Sequence, residues 1–182
     1  MYLFTSERLG FRAWRDDDYD NLYRLCSDPD VMHYFPGTLD PEATAAFLER
    51  LQRAYEAHGY CYFAVEERGT ETFIGFIGIA YQTYKMDFTP ATDIGWRLLK
   101  EHWKKGYATE GARRCLRYAR EEHQLNRLIA TTTHNNDPSV AVMRRIGMNF
   151  VKAFVHPNID PENWMQPCVL YEIDLTQTPT RL

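Results

Sequence analysis

Residues 103–110 read Trp103-Lys104-Lys105-Gly106-Tyr107-Ala108-Thr109-Glu110, a basic turn that leads into a helical pattern. A helix start leaves backbone N–H groups unpaired and carries about half a positive charge from the macrodipole, so it favours an anion. Gly106 permits a tight turn, Ala108 keeps the approach open, and Lys104 and Lys105 add positive charge. Behind the turn, Ala108, Ala112, Cys115 and Ala119 form a small-residue stripe at helical spacing, with Gly111 beside it. That face lets the helix lie close to a sheet. Arg113, Arg114, Arg117 and Arg120 read mostly as its solvated side. Glu110 in the first turn complements the dipole. At this level the turn is either an anion site or a glycine-punctuated loop before an amphipathic helix. Gly106-Tyr-Ala-Thr-Glu-Gly111 also mimics a dinucleotide fingerprint, but Lys100 to Lys105 stand where an apolar strand should run straight into the turn.

Working outward, Leu9, Phe11 and Ala13 alternate with Gly10, Arg12 and Trp14, which predicts a strand. Asp16 to Asp18 supply helix-start chemistry before Leu22, Leu25 and Cys26, and Ser27-Asp28-Pro29-Asp30 stops that helix. Asp40 as cap and Pro41 at the first position open a second helix, which Gly59 ends. Strands follow at Tyr60–Glu66, Thr72–Tyr81 and Thr89–Leu98, the first two joined by a hairpin with Gly69 at its tip. A helix over Tyr107–Glu122, a strand over Arg127–Thr133, a short helix over Pro138–Ile146, and strands at Phe150–Val155 and Val169–Leu175 complete the chain. The order β-αα-βββ-α-β-α-ββ predicts an α/β (α+β) fold with a mixed, mainly antiparallel central sheet flanked by helices.

The 182 residues, 45% hydrophobic and 25% charged, suit one globular domain spanning 1–182. A formal net charge of -4 offers no global attraction for nucleic acid. No segment reaches the roughly 20 apolar residues of a membrane span, and Met1 to Arg8 lack a signal-peptide core. Cys26, Cys61, Cys115 and Cys168 are scattered without a CxxC pair, and the histidines show no HxxxH spacing. No metal site is expected, and a reducing, cytoplasmic setting is.

Three segments together resemble the GNAT superfamily of N-acetyltransferases, in particular its RimJ/RimL-like branch, which includes ribosomal-protein N-terminal acetyltransferases. They are Thr5-Ser-Glu-Arg-Leu-Gly-Phe-Arg12 with Asp17-Asp18 and Ser27-Asp-Pro-Asp-Val-Met32; Asp93-Ile-Gly-Trp96 ahead of Trp103–Glu110; and Asn136-Asp-Pro-Ser139 with Met143-Arg-Arg-Ile-Gly-Met148. The resemblance implies the GNAT fold, with strands four and five splayed apart, acetyl-CoA as donor and an amine as acceptor. Backbone at Ile94, Gly95 and Trp96 would pair with the pantetheine arm, and N–H groups near Trp96 would stabilise the oxyanion. Amides of Lys104, Lys105, Gly106, Tyr107, Ala108 and Thr109 would hold the pyrophosphate. The final strands of such folds often pair across chains, which leaves a homodimer open.

In the short helix, Asp137 reads as N-cap and Pro138 as first residue, with Gly147 at the left-handed exit. Asn136 lies just outside and offers pantetheine a donor and an acceptor. Ser139 shares a stripe with Val142, Met143 and Ile146, so it faces inward; it either assists capping or protonates the leaving thiolate. Many relatives place a tyrosine acid where Met143 stands, and Met143 cannot donate a proton. Asp93 is the candidate base if burial raises its pKa, and otherwise a strand-edge carboxylate in water. His134 is a lesser candidate near the splay.

The acceptor must attack as a neutral amine. With a pKa of about 7.7–8.0, an α-amine loses its proton far more readily than a lysine near 10.4. That favours a peptide or protein N-terminus, with a small amine second and a non-catalytic acyl-CoA-binding module as the reading from another class. Trp14, Tyr34, Phe35, Tyr84, Trp96 and Trp164 are candidate acceptor walls, and Asp87 and Asp160 would favour a cationic acceptor.

Overall fold

The computed structural model describes residues 1–176; the last residues of the expected 1–182 domain, 177–182, lie outside the described residues. Its elements are β1 (Phe4–Thr5), β2 (Leu9–Arg12), α1 (Tyr19–Ser27), α2 (Pro41–His58), β3 (Tyr62–Glu67), β4 (Thr72–Gln82), β5 (Ala91–Leu98), α3 (Tyr107–Glu121), β6 (Arg127–Thr133), α4 (Asp137–Arg145), β7 (Asn149–Val155) and β8 (Pro167–Asp174). They build one eight-stranded sheet in the order β1-β2-β3-β4-β5-β6-β8-β7. The expected mixed, mainly antiparallel α/β architecture is present. The strands expected as four and five are β5 and β6, the one parallel neighbour pair. Their ladder registers a single residue pair, Asp93 with Ile129, so the two strands diverge beyond Asp93.

Several boundaries move for physical reasons. Strand β2 ends at Arg12 rather than Trp14, because the Trp14 ring turns into the core, where its indole N–H donates to Tyr62 O at 2.6 Å. The predicted in–out alternation of β2 fails, since all four of its residues are buried. Gly10 lies under the Tyr2 ring, and the Arg12 guanidinium makes a bidentate pair with Asp18, at 2.6 and 2.7 Å, and a bond to Glu66 at 2.5 Å. Asp18 also accepts from Arg15 N–H at 2.8 Å, closing the turn before α1, and gives α1 itself no side-chain cap. A 3-10 turn fills 16–18, and α1 starts at Tyr19. Arg114 is not solvated as read: its Nε donates to Thr5 O at 2.9 Å and its guanidinium lies 4.7 Å from the Phe4 ring centroid, pinning β1.

The second helix follows its sequence signals. Asp40 Oδ1 accepts from Ala43 N–H at 2.7 Å, Pro41 opens the helix, and Gly59 closes it in the left-handed region at φ 74°. Helices α1 and α2 cover one sheet face, where Phe47 meets Phe76 edge-on. Helix α3 covers the other, and it lies close. A Cβ on Gly111 would fall 2.3 Å from Ile77 Cδ1, so a larger residue there would force that side chain to move. Strand β7 is an edge, and its Phe150, Val151 and Val155 are exposed. Among the described residues, no helix is long and apolar enough to cross a membrane, and no cluster of metal-binding side chains forms.

Candidate active site

Helix α3 begins with its backbone donors open. Its first internal bond runs from Glu110 N–H to Gly106 O, and no side chain caps the start. The N–H groups of Tyr107, Ala108 and Thr109 precede that bond and have no acceptor within the helix. Gly106 holds φ 82° and Lys104 φ 58°, a left-handed pair that curls the turn. Lys104, Lys105 and Gly106 are exposed. The Tyr107 side chain is buried and donates to Glu67, so it anchors the turn and leaves only its main chain for a ligand.

Glu110 does more than offset the dipole. It accepts from Ser6 Oγ at 2.7 Å, Arg8 N–H at 2.8 Å and Arg8 Nε at 2.6 Å, while Arg8 Nη1 donates to Lys105 O at 3.0 Å. The segment before β2 is thus clasped to the turn. Desolvation opposes this, but the bonds from Ser6 and Arg8 outweigh it and hold the Glu110 carboxyl below its ordinary pKa.

Asp93 sits where β5 and β6 begin to part. Its Oδ1 accepts from Tyr62 Oη at 2.7 Å and its Oδ2 from Gln82 Nε2 at 3.1 Å. Burial is the larger influence and pushes its pKa up to about 6, against the lowering effect of those bonds. Asp93 is half-buried and held by two side chains, unlike a free strand-edge carboxylate in water. Gly95 makes room for this arrangement: a Cβ there would fall 3.0 Å from Tyr62 Cε1. Tyr62 and Gln82 are neighbours of this candidate base that sequence reasoning missed. Nothing local announces them, because they stand 31 and 11 residues from Asp93 and meet it only through sheet register. Ile94 is buried and Trp96 half-buried, on the face opposite Asp93 and Gly95. Beyond Asp93, β6 offers the β5 backbone no paired partner.

At the start of α4 the cap is Asn136 and not Asp137. Asn136 Oδ1 accepts from Ser139 N–H at 3.2 Å, and Asn136 Nδ2 donates to Thr132 Oγ1 at 2.8 Å. Both ends of this buried amide are engaged in structure, so its expected contact with pantetheine has only its remaining N–H and lone pair to use. Ser139 is half-buried, and its hydroxyl has no hydrogen-bond partner among the described residues. Met143 is 2% exposed and belongs to the core. His134 is exposed and packs by Nδ1 against Pro167 O at 3.3 Å, away from Asp93's partners.

The expected acceptor walls divide. Trp14 is core. Tyr84 packs over a separate cluster of Phe88, Ile129 and Leu170. Trp164, from the β7–β8 connection, meets His33 and Tyr34 of the α1–α2 connection at 5.7 and 6.4 Å. Asp87 pairs with Lys152, which lowers its pKa and neutralises its attraction for a cation. Asp160 is exposed and accepts from Glu162 N–H within its own turn.

These features fit a coenzyme A thioester: uncapped amides and lysines for a pyrophosphate, then a widening gap between two strands for an amide-bearing arm. Residues 8–149 match the acetyltransferase (GNAT) domain family. The chain is 31% identical over 169 residues to the uncharacterized protein YkkB of Bacillus subtilis (strain 168), covering 92% of this chain and 93% of that one. It is 34% identical over 145 residues to the uncharacterized N-acetyltransferase YnaD of the same organism, covering 79% and 81%. The crystal structure of an acetyltransferase (GNAT family) from Bacillus anthracis superposes with a TM-score of 0.77 at 30% identity, covering 95% of this chain and 98% of that one.

Proposed function

The chain belongs to the GNAT acetyltransferase family, and from that membership we propose that it acts by direct attack of an amine, with Asp93 as base and Ser139 as acid. The family's donor, acetyl-CoA, supplies the activated acetyl thioester. Asp93 accepts the proton that the attacking nitrogen loses, and Tyr62 and Gln82 keep its carboxylate aimed. Ser139 Oγ–H gives a proton to the departing sulfur and recovers one from water. Backbone N–H groups of β5 from Ile94 to Trp96, left unpaired by β6, pair with the pantetheine arm and donate to developing negative charge. Main-chain donors at Lys104, Lys105, Gly106, Tyr107, Ala108 and Thr109 hold the pyrophosphate, with Asn136 bordering the thiol end.

The observation that carries this reading is the Asp93 carboxyl, raised by burial to about 6 at the point where β5 and β6 separate. A base of that strength leaves a neutral-ready α-amine as the favoured acceptor, since a lysine ammonium near 10.4 costs several kcal/mol more to deprotonate. The reading is therefore a RimJ/RimL-like N-terminal acetyltransferase working as one domain over 1–182 in the cytoplasm. A small-molecule amine is the second acceptor class, and the exposed apolar side chains of edge strand β7 are where a homodimer would form. Release of free coenzyme A from acetyl-CoA, followed across peptides and small amines, tests the reading. Tight acetyl-CoA binding with no turnover on any amine would leave a binding module in its place.

A further inference from the structure

Asp93 and Arg97 lie on the same face of β5, the face covered by α1 and α2. Four residues of strand separate them, roughly 13 Å. A cavity of about 420 Å³ opens beside Arg97, bounded by Met32, Phe35, Leu39, Phe47 and Arg50 among others. No aspartate or glutamate lines it.

Arg97 is unusual for a largely enclosed guanidinium. Among the described residues it has no carboxylate partner. Its one hydrogen bond donates from Nη1 to Cys26 Sγ at 3.1 Å, a weak acceptor, and its Nε is buried without any partner. Aromatic rings hold it flat, Phe35 at 3.9 Å and Phe76 at 5.1 Å from its carbon to the ring centroid. Cation–π contacts offset part of its desolvation but supply no acceptor to the in-plane donors, of which one meets Cys26 Sγ. Arg50, on the cavity rim, lies 4.8 Å over Phe47 and likewise has no acidic partner among the described residues. Other cations nearby are neutralised: Lys100 pairs with Asp30 and Arg24 with Glu101. A protein of net charge -4 therefore keeps two unpaired cations at one cavity.

We propose that this cavity is an acceptor subsite for a carboxylate, held by Arg97 with Arg50 at its rim, so that the enzyme prefers amines carrying an acidic group about 10–13 Å from the nitrogen. That is the reach from a peptide N-terminus to a glutamate at the third position. The spacing rests on the reading of Asp93 as the transfer centre, whereas the anion subsite itself does not.

Two measurements separate these. First, blocked peptides, acetyl-Ala-Ala-Glu-amide and acetyl-Ala-Ala-Gln-amide, are titrated calorimetrically into the full chain saturated with coenzyme A, which keeps the cofactor's own phosphates from being the occupant. The Glu peptide should bind at least about tenfold more tightly. That preference should disappear in Arg97→Gln and weaken in the surface variant Arg50→Gln, which stays informative if Arg97→Gln fails to fold. Equal affinities, or no binding by either peptide, overturns the subsite. Second, the free-N-terminal peptides Ala-Ala-Glu-amide and Ala-Ala-Gln-amide are assayed for coenzyme A release. A kcat/KM preference for Glu that Arg50→Gln reduces supports the ruler. Binding of the Glu peptide without any turnover retains the subsite and removes the transfer reading at Asp93.

Discussion

The Tyr62 hydroxyl donates to Asp93 Oδ1 across 2.7 Å, joining the strand that begins the sheet's centre to the strand that borders its gap. The same carboxylate is raised by burial and lowered by this bond. Its working pKa is a balance of two opposed influences, and each can be removed separately.

The rate kcat/KM, expressed per neutral acceptor amine, should therefore rise with pH through about 6 and level off above it. Asp93→Asn should lower turnover by about 10²–10⁴-fold. Tyr62→Phe removes a bond to the ionised form, so the acid limb should move to higher pH. A limb that stays in place removes Asp93 as the base. Stability moves oppositely. The folded pKa is raised from 3.8 to about 6, so stability is full below 3.8 and is lost as pH rises through about 6. At pH 8 Asp93→Asn should be the more stable protein in urea, by up to about 3 kcal/mol.

Ser139→Ala should reduce turnover while leaving acetyl-CoA affinity unchanged. The helix is insulated from this substitution because Ser139 meets its cap through the backbone N–H, which alanine keeps. An unchanged kcat would end the acid role. Asn136→Ala, by contrast, should cost about 1–2 kcal/mol in thermal or urea unfolding, since it removes the cap and the Thr132 bond together.

Gly106→Ala should raise the KM for acetyl-CoA by about tenfold or more. A side chain at φ 82° is strained by roughly 1 kcal/mol or more, and relief of that strain would turn the α3 amides away from their anion. Unaltered acetyl-CoA affinity in the folded variant would place the pyrophosphate elsewhere.

Glu110→Gln should flatten acid denaturation. The folded carboxyl is held below 4.5 by Ser6 and Arg8. Its stabilisation is therefore present above 4.5 and lost as pH falls through the lowered folded value. Urea midpoints measured from pH 7 down to pH 3 should converge between the two proteins, and parallel curves would contradict the clasp.

Local chemistry determined a good part of this molecule. Asp40, Pro41 and Gly59 mark α2 because capping, a proline at the first turn and a left-handed exit act within a few residues. The α3 start was legible for the same reason, as Gly106 and the open amides after it lie within one turn, although Arg8 and Glu67 anchor that turn from a distance. Periodicity and turn signals were enough to predict the mixed sheet and its helices, and three motifs in order the family. Tertiary structure decided what sequence spacing does not encode. Asn136 rather than Asp137 caps α4, though both types can cap, because Thr132 orients the asparagine. Strand β1 went unseen at two residues in length, and it exists because β2 pairs with it and Arg114 pins it. Whether Asp93 was an ordinary surface carboxylate or a raised one depended on burial, which acts against the bonds from Tyr62 and Gln82 that strand register brings beside it. Burial and pairing are long-range properties: a chain states which groups it carries, and only the fold states which of them lose water together.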